Sequence, residues 1–300
     1  MDQRRAQGSA TPVGIQSRWV ASNDLVAPCQ HGAKRSMEGT MGSIRDEEYA
    51  FASERVDRQG TFRSEYLDFD RGIRVGHLAV EERLTQIIKS RLTERYGVRM
   101  LCDRWGRGMY WQWLCWVPEP NKKAKPLSAG HNFGSTKFYV TIDRAQRLFQ
   151  SGMQVERAPK RPDAQGPLTV ETDWDWHVLL KALGEDTLPH HLSRLLREGF
   201  RIRVGAFASR TEYAHYNWDL NACRRKAQRF SATAWGGFQL FWPMPEQEVQ
   251  ATPGPELVEA IMAVFAEVTP VMNLCMYAPC LPEPQRVWDT RPFPDELSVP

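Results

Sequence analysis

The stretch Tyr110-Trp111-Gln112-Trp113-Leu114-Cys115-Trp116-Val117 decides the fold. It has the length of a strand, and apolar side chains stand at both alternating positions, so it reads as a central strand covered on each side. Upstream, residues 98–103 have the same character. Trp105, Gly106, Arg107 and Gly108 lie between the two runs and supply the glycines of a hairpin connection. Downstream, Phe138, Val140 and Ile142 alternate with Lys137, Tyr139, Thr141 and Asp143. Phe149, Ser151, Met153 and Val155 alternate in the same way with Gln150, Gly152, Gln154 and Glu156. A period of two describes half-buried strands. Phe200, Ile202, Val204 and Ala206, alternating with Arg201, Arg203, Gly205 and Phe207, describe another, and residues 238–242 a last one before Pro243.

Around these strands the apolar period changes to three and four, the spacing of a helix face. Leu84, Ile87, Ile88, Leu92 and Tyr96 predict a helix within 77–96. Trp176, Leu179, Leu180 and Leu183 predict a second, and Leu192, Leu195 and Leu196 a third over 188–198, with Thr172 and Thr187 as N-caps. A further helix is expected within 213–230. Leu257, Val258, Ile261, Met262, Phe265 and Val268 define the last, which Pro270 should stop. Residues 118–135 and 158–170 read as exposed loops. Strands joined by short links, with helices before and after, predict an α+β fold: a mainly antiparallel sheet with helices packed on it. The expected layout is a single main domain over 46–278, a disordered N-terminal tail over 1–45 and a Pro-rich C-terminal tail over 279–300. The first tail mixes Gly, Ser, Gln and Pro without sustained periodicity, and Met37 and Met41 near its end leave a later start of translation open.

The order helix, hairpin, two alternating strands, helices and final strand resembles the YktB-like group of bacterial proteins over about residues 77–276. So does the ending, which runs through Gly237-Phe238-Gln239-Leu240-Phe241, residues 246–249 and 255–268, and Thr269-Pro270-Val271-Met272. The resemblance implies an α+β fold and brings no catalytic residues with it. The N-terminal tail and the Trp-rich hairpin depart from it.

The chain has 300 residues, 39 Lys and Arg against 36 Asp and Glu, and 42% hydrophobic residues, a globular composition. The longest mainly apolar stretches, 109–117 and 260–266, fall short of the ~20 residues of a membrane helix, so no membrane partner is expected. Met1 is followed by polar residues where a signal peptide would be apolar, which predicts a cytoplasmic protein. Cys29, Cys102, Cys115, Cys223, Cys275 and Cys280 show no C-x-x-C pair or finger spacing. Cys102 and Cys115 are expected to be small buried hydrophobes. Only oxidising conditions would join Cys275 to Cys280.

Charge is arranged in blocks. Residues 99–161 hold 12 basic and 4 acidic residues and 191–229 hold 9 and 3, whereas 162–190 hold 1 and 6 and 230–300 hold 2 and 9. If the basic blocks meet on one face, they make a local positive surface on an almost neutral chain.

Two functional readings stand on these patterns. The first joins charge to aromatic rings: Lys137 and Tyr139 on one strand face, Arg201 and Arg203 on another, and Arg104, Trp105 and Arg107 at the hairpin. Such a face can hold phosphates by charge and stack bases, which points to a binding module for an anionic ligand, either a phosphorylated small molecule or a nucleic acid. The ordinary alternative is a solvated face whose arginines pair with Asp143 or Glu156. The second reading takes Glu171, Asp173, Asp175 and His177, which on a strand would form one face of hard metal ligands for a hydrolase or nuclease. Acidic residues in a first helical turn explain the same pattern without a metal. The first reading is preferred, because its residues need only share a face.

The remaining signals are slight. His190 and His191 are adjacent and point apart on a helix. His131 lies in the loop Gly130-His131-Asn132-Phe133-Gly134, which could form an anion nest. Gly106 and Gly108 are a lone G-x-G. No G-x-S-x-G, Walker or H-E-x-x-H motif occurs. No particular cofactor is implied, and whether the chain is an enzyme stays open.

Overall fold

Period-two segments pair edge to edge, and here nine of them form one sheet in which every pairing is antiparallel. The computed structural model describes residues 62–157, 170–206, 209–229 and 234–282. The tail expected over 1–45, nearly all of the loop expected over 158–170 and most of the Pro-rich tail lie outside the described residues.

The strands are β1 (Leu67–Asp68), β2 (Gly72–Arg74), β3 (Met100–Arg107), β4 (Tyr110–Pro118), β5 (Lys137–Asp143), β6 (Leu148–Arg157), β7 (Arg201–Ala206), β8 (Thr211–Tyr213) and β9 (Gly236–Pro245). Their order is β1-β2-β4-β5-β6-β9-β7-β8, with β3 also paired to β4. The helices are α1 (Leu84–Tyr96), α2 (Glu119–Lys123), α3 (Asp175–Ala182), α4 (Thr187–Arg197), α5 (Leu220–Gln228), α6 (Glu246–Ala251) and α7 (Gly254–Cys275). The α+β architecture predicted from periodicity is therefore the one found.

One face of the sheet carries the main core. Leu114 and Trp116 of β4, Phe138 and Val140 of β5, Met153 and Val155 of β6, Phe238 and Leu240 of β9 and Ile202 and Val204 of β7 share a cluster with the apolar faces of α1, α3, α4 and α7. Phe265 of α7 sits at its middle, 4.7 Å from the ring of Phe138 and 5.9 Å from that of Trp116. Polar tips within this core find partners, as burial demands. Trp116 Nε1 donates to the Thr85 carbonyl at 3.0 Å, and the hydroxyls of Tyr96 and Thr269 meet at 2.6 Å.

On the other face, Cys115, Val117, Tyr139 and Phe241 form a second cluster with Leu101 and Trp113, built from strands alone. The Trp-rich strand is thus covered on both sides over 114–118, as its double apolar pattern predicts. Strands β6 and β9 run so close at Gly152 that a Cβ there would stand 2.0 Å from the Leu240 carbonyl oxygen. No other residue allows that approach of β6 to β9.

Several expectations need correction. Helix α7 does not stop at Pro270 but continues to Cys275. Val271, Met272 and Cys275 are fully buried there, and that packing offsets the ~3 kcal/mol an interior proline costs. At 22 residues with a mean hydropathy of 1.6, α7 also has the length and composition of a membrane span, which contiguous apolar runs in the sequence do not reveal. In this fold 56% of its most apolar window is buried. Thr172 and Thr187 are not N-caps: Trp174 precedes α3, and Thr187 lies inside α4 behind Asp186. The stretch expected as one helix within 213–230 is a strand end, a 3-10 turn and α5, capped by the Asp219 side chain on the Ala222 N–H. The loop expected to be exposed over 118–135 holds α2 and buries Asn121, Lys125, Ser128 and Ser135.

Candidate functional site

Register determines which side chains meet. Lys137 of β5 lies opposite Gln154 of β6, Gln154 opposite Gln239 of β9, Gln239 opposite Arg203 of β7, and Arg203 opposite Glu212 of β8. One row of polar side chains thus crosses five strands on the face opposite the helices. A second row on that face runs from Trp113 of β4 through Thr141 to Gln150. Tyr139 stands between the rows, opposite Gly152.

The structure therefore brings Lys137, Tyr139, Arg201 and Arg203 onto one face. They do not form an open cationic surface. Lys137 Nζ is ion-paired with Glu156 Oε2. Burial would lower the Lys137 ammonium, but Glu156 outweighs it and holds the group above its ordinary range. Arg203 pairs with Glu212 at 2.6 Å and Asp143 at 3.4 Å, and Arg201 with Glu212 at 3.0 Å. Gln239 donates to Gln154 and accepts from Arg210, and Gln154 donates to Glu156. The guanidinium of Arg203 lies 5.0 Å over Phe241, and Lys137 Nζ lies 5.6 Å from the centre of the Trp113 ring. Cations laid on ring faces close the apolar floor beneath them.

Tyr139 is completely buried, so it offers no ring for a base to stack on, contrary to the expectation of an outward aromatic. Burial raises its hydroxyl well above the ordinary tyrosine range, so it stays protonated as a hydrogen-bond donor. That hydroxyl, Gln150 Nε2 and Trp113 Nε1 are all buried without a hydrogen-bond partner among the described residues. Three orphan donors thus lie on one face of three neighbouring strands, and Arg203 Nη1 reaches Gln150 Oε1 at 3.4 Å. Buried donors are ordinarily paired, and each unpaired one costs about 1–3 kcal/mol.

The hairpin residues divide between the two faces of the sheet. Trp105 is opposite Trp113 and largely exposed. Arg104 has the opposite strand parity and stacks 4.4 Å over Trp111. The side chain of Arg107 lies outside the described residues. Gly106 marks a β-bulge and Gly108 takes a φ of +67°, so the G-x-G serves the hairpin.

Glu171, Asp173, Asp175 and His177 do not assemble into a ligand set. Among the described residues no group of three His, Cys, Asp or Glu side chains could hold a metal ion. The chain is turning into α3 here, so His177 points to solvent while Asp173 and Asp175 point inward. Asp175 Oδ2 accepts from Asn121 Nδ2 and the Thr136 N–H, and its Oδ1 from Lys125 Nζ and the Tyr277 N–H. Asp173 Oδ2 accepts from the N–H groups of Leu127 and Ser128 at 2.7 and 2.9 Å. Burial alone would raise the Asp173 carboxyl, but these donors hold it below its ordinary range. The two acids are clamps that fasten the 121–136 loop and the chain after α7 to the start of α3.

Reading residues one strand at a time finds Lys137, Tyr139, Arg201 and Arg203 and misses Trp113, Gln150, Gln154, Gln239 and Glu212. The signal for Gln150 and Gln154 is polar residues of one parity beside a glycine on adjacent strands. Trp113 carries no such mark, because an orphan donor is defined only by its surroundings. Comparison with known proteins adds no relative to this geometry: no family model matches the chain, and no curated protein matches it.

Proposed function

We propose that the protein is a binding module for a small anionic ligand, seated on the strand-only face between Trp113, Tyr139, Gln150 and Arg203. The observation that carries this reading is the set of three buried donors without acceptors. All three are N–H or O–H groups, and a guanidinium lies beside them, so the missing partner is rich in acceptors. A carboxylate or phosphate has that chemistry. The donors span two strand spacings, roughly 10 Å, the scale of a small molecule. The cations already paired with Glu156, Glu212 and Asp143 argue for a compact oxyanion and against a long polyanion here. The likeness to the YktB-like proteins brings no residue roles to this site, so the reading rests on side-chain geometry alone.

Tyr139→Phe tests it, because the substitution removes an unpaired hydroxyl and keeps the ring. The free protein should hold its stability or gain about 1–3 kcal/mol in urea denaturation. Inorganic phosphate and citrate at low salt should raise the melting temperature of the wild type and raise that of the variant less. A variant that is less stable than the wild type, or a wild type that neither anion shifts, would overturn the proposal.

A further inference from the structure

A different region carries two cations without an ion-pair partner among the described residues. Between the β7–β8 edge and α5 lies a cleft of about 570 Å³. Its lining includes Gly205, Tyr213, Ala222, Arg225, Lys226 and Arg229, with no acidic residue among the described residues. Ala222, Arg225, Lys226 and Arg229 recur at helical spacing and so present one face of the end of α5 to the cleft. Among the described residues neither Lys226 nor Arg229 has an ion-pair partner. Arg225 meets Asp219 only at 3.9 Å with both side chains more than half exposed, a pairing worth little. This contrasts with the sheet face, where Lys137, Arg201 and Arg203 each have a carboxylate.

Cations in a last helical turn also complement the helix dipole, which would account for their presence without a ligand. That account does not require them to share a concavity. Arg224 stands at the same end of α5 and is turned instead to Gly184. Gly205 has a φ of +131°, and a Cβ there would come 2.9 Å from Lys226 Cε. The glycine therefore lets the lysine stem lie against the strand backbone at the cleft.

We infer that this cleft binds the phosphate backbone of a single-stranded nucleic acid, independently of the oxyanion reading of the sheet face. Arg225 and Arg229 are one helical turn apart, a rise of about 6 Å, comparable with the separation of neighbouring phosphates on an extended strand. Tyr213 is buried and the other named lining residues carry no aromatic ring, so charge supplies the affinity and sequence preference is slight. The concavity, bounded by a helix and a strand edge, suits one strand better than a duplex.

The test is fluorescence anisotropy of a labelled single-stranded oligonucleotide with the full chain across a salt series. With three phosphates neutralised, log K should fall against log salt with a slope of about −2. In the double variant Lys226→Gln and Arg229→Gln, which keeps the side-chain stems, the slope should shrink by about 1.4 and binding weaken at every salt concentration. Tyr139→Phe should bind the strand as the wild type does, which separates this site from the sheet face. A double variant with unchanged affinity and slope, or no binding by the wild type at low salt, would refute the inference. So would competition by inorganic pyrophosphate as strong as that by the unlabelled strand, because the occupant would then be a free phosphate compound.

Discussion

Asp173 and Asp175 stand two positions apart, as metal ligands on a strand would, in a stretch whose apolar spacing is that of a helix start. Their neighbours decide the matter, since Asp173 Oδ2 and both oxygens of Asp175 accept from N–H donors distant in sequence. Lys125 and Asp175 are both fully buried and 2.9 Å apart. Removing one partner strands the other charge, so Lys125→Met should cost about 3–5 kcal/mol in urea denaturation. If the variant is as stable as the wild type, the pair is not a clamp. Asp173 makes a second prediction, in pH. Its carboxyl titrates lower in the folded protein than in the unfolded chain, where it is near the ordinary ~3.9. Its stabilising contribution is therefore complete above that value and is lost as pH falls through the lower folded one. Asp173→Asn should flatten the acid limb of the stability profile below about pH 5, as read by denaturant midpoints. The parity of these acids was visible in the sequence, but their donors lie some 40 to 100 positions away and no local pattern points to them.

At the scale of elements, period and length located most strands and helices. The predicted runs at 110–117 and 137–143 lie within or on β4 and β5, the run at 98–103 overlaps β3 only from Met100, with β3 continuing to Arg107 through the expected connection, and the amphipathic stripe ending at Tyr96 is α1. Ends were less legible. Pro270 should break a helix by local rules, yet α7 passes through it because the residues beyond it are buried. Gly152 shows the converse case, a local weakness that serves the sheet. Its replacement by Ala would drive a methyl into the Leu240 carbonyl, against backbone that cannot yield cheaply. Gly152→Ala should destabilise the protein by about 3 kcal/mol or more, measured as a lower denaturant midpoint. A midpoint within experimental error of the wild type would show that β6 and β9 are less closely opposed than described.

For the whole molecule, the sheet separates two kinds of surface. The helix-covered face is a continuous apolar core centred on Phe265, and Phe265→Ala should cost about 3–5 kcal/mol and lower the melting temperature in calorimetry. A loss below about 1 kcal/mol would mean that Phe265 does not join α7 to the sheet. The opposite face is polar, charge-balanced and short of three acceptors. The sequence by itself determined the α+β class, the mainly antiparallel pairing and the common parity of Lys137 with Tyr139 and of Arg201 with Arg203 along their strands, because hydrophobic period and strand parity are local properties. Only the tertiary structure decided that Lys137, Arg201 and Arg203 are neutralised by Glu156, Glu212 and Asp143, that Tyr139 is a buried donor, and that Lys226 and Arg229 have no ion-pair partner among the described residues. Those are matters of burial and charge pairing, and both depend on which strands become neighbours once β9 inserts between β6 and β7.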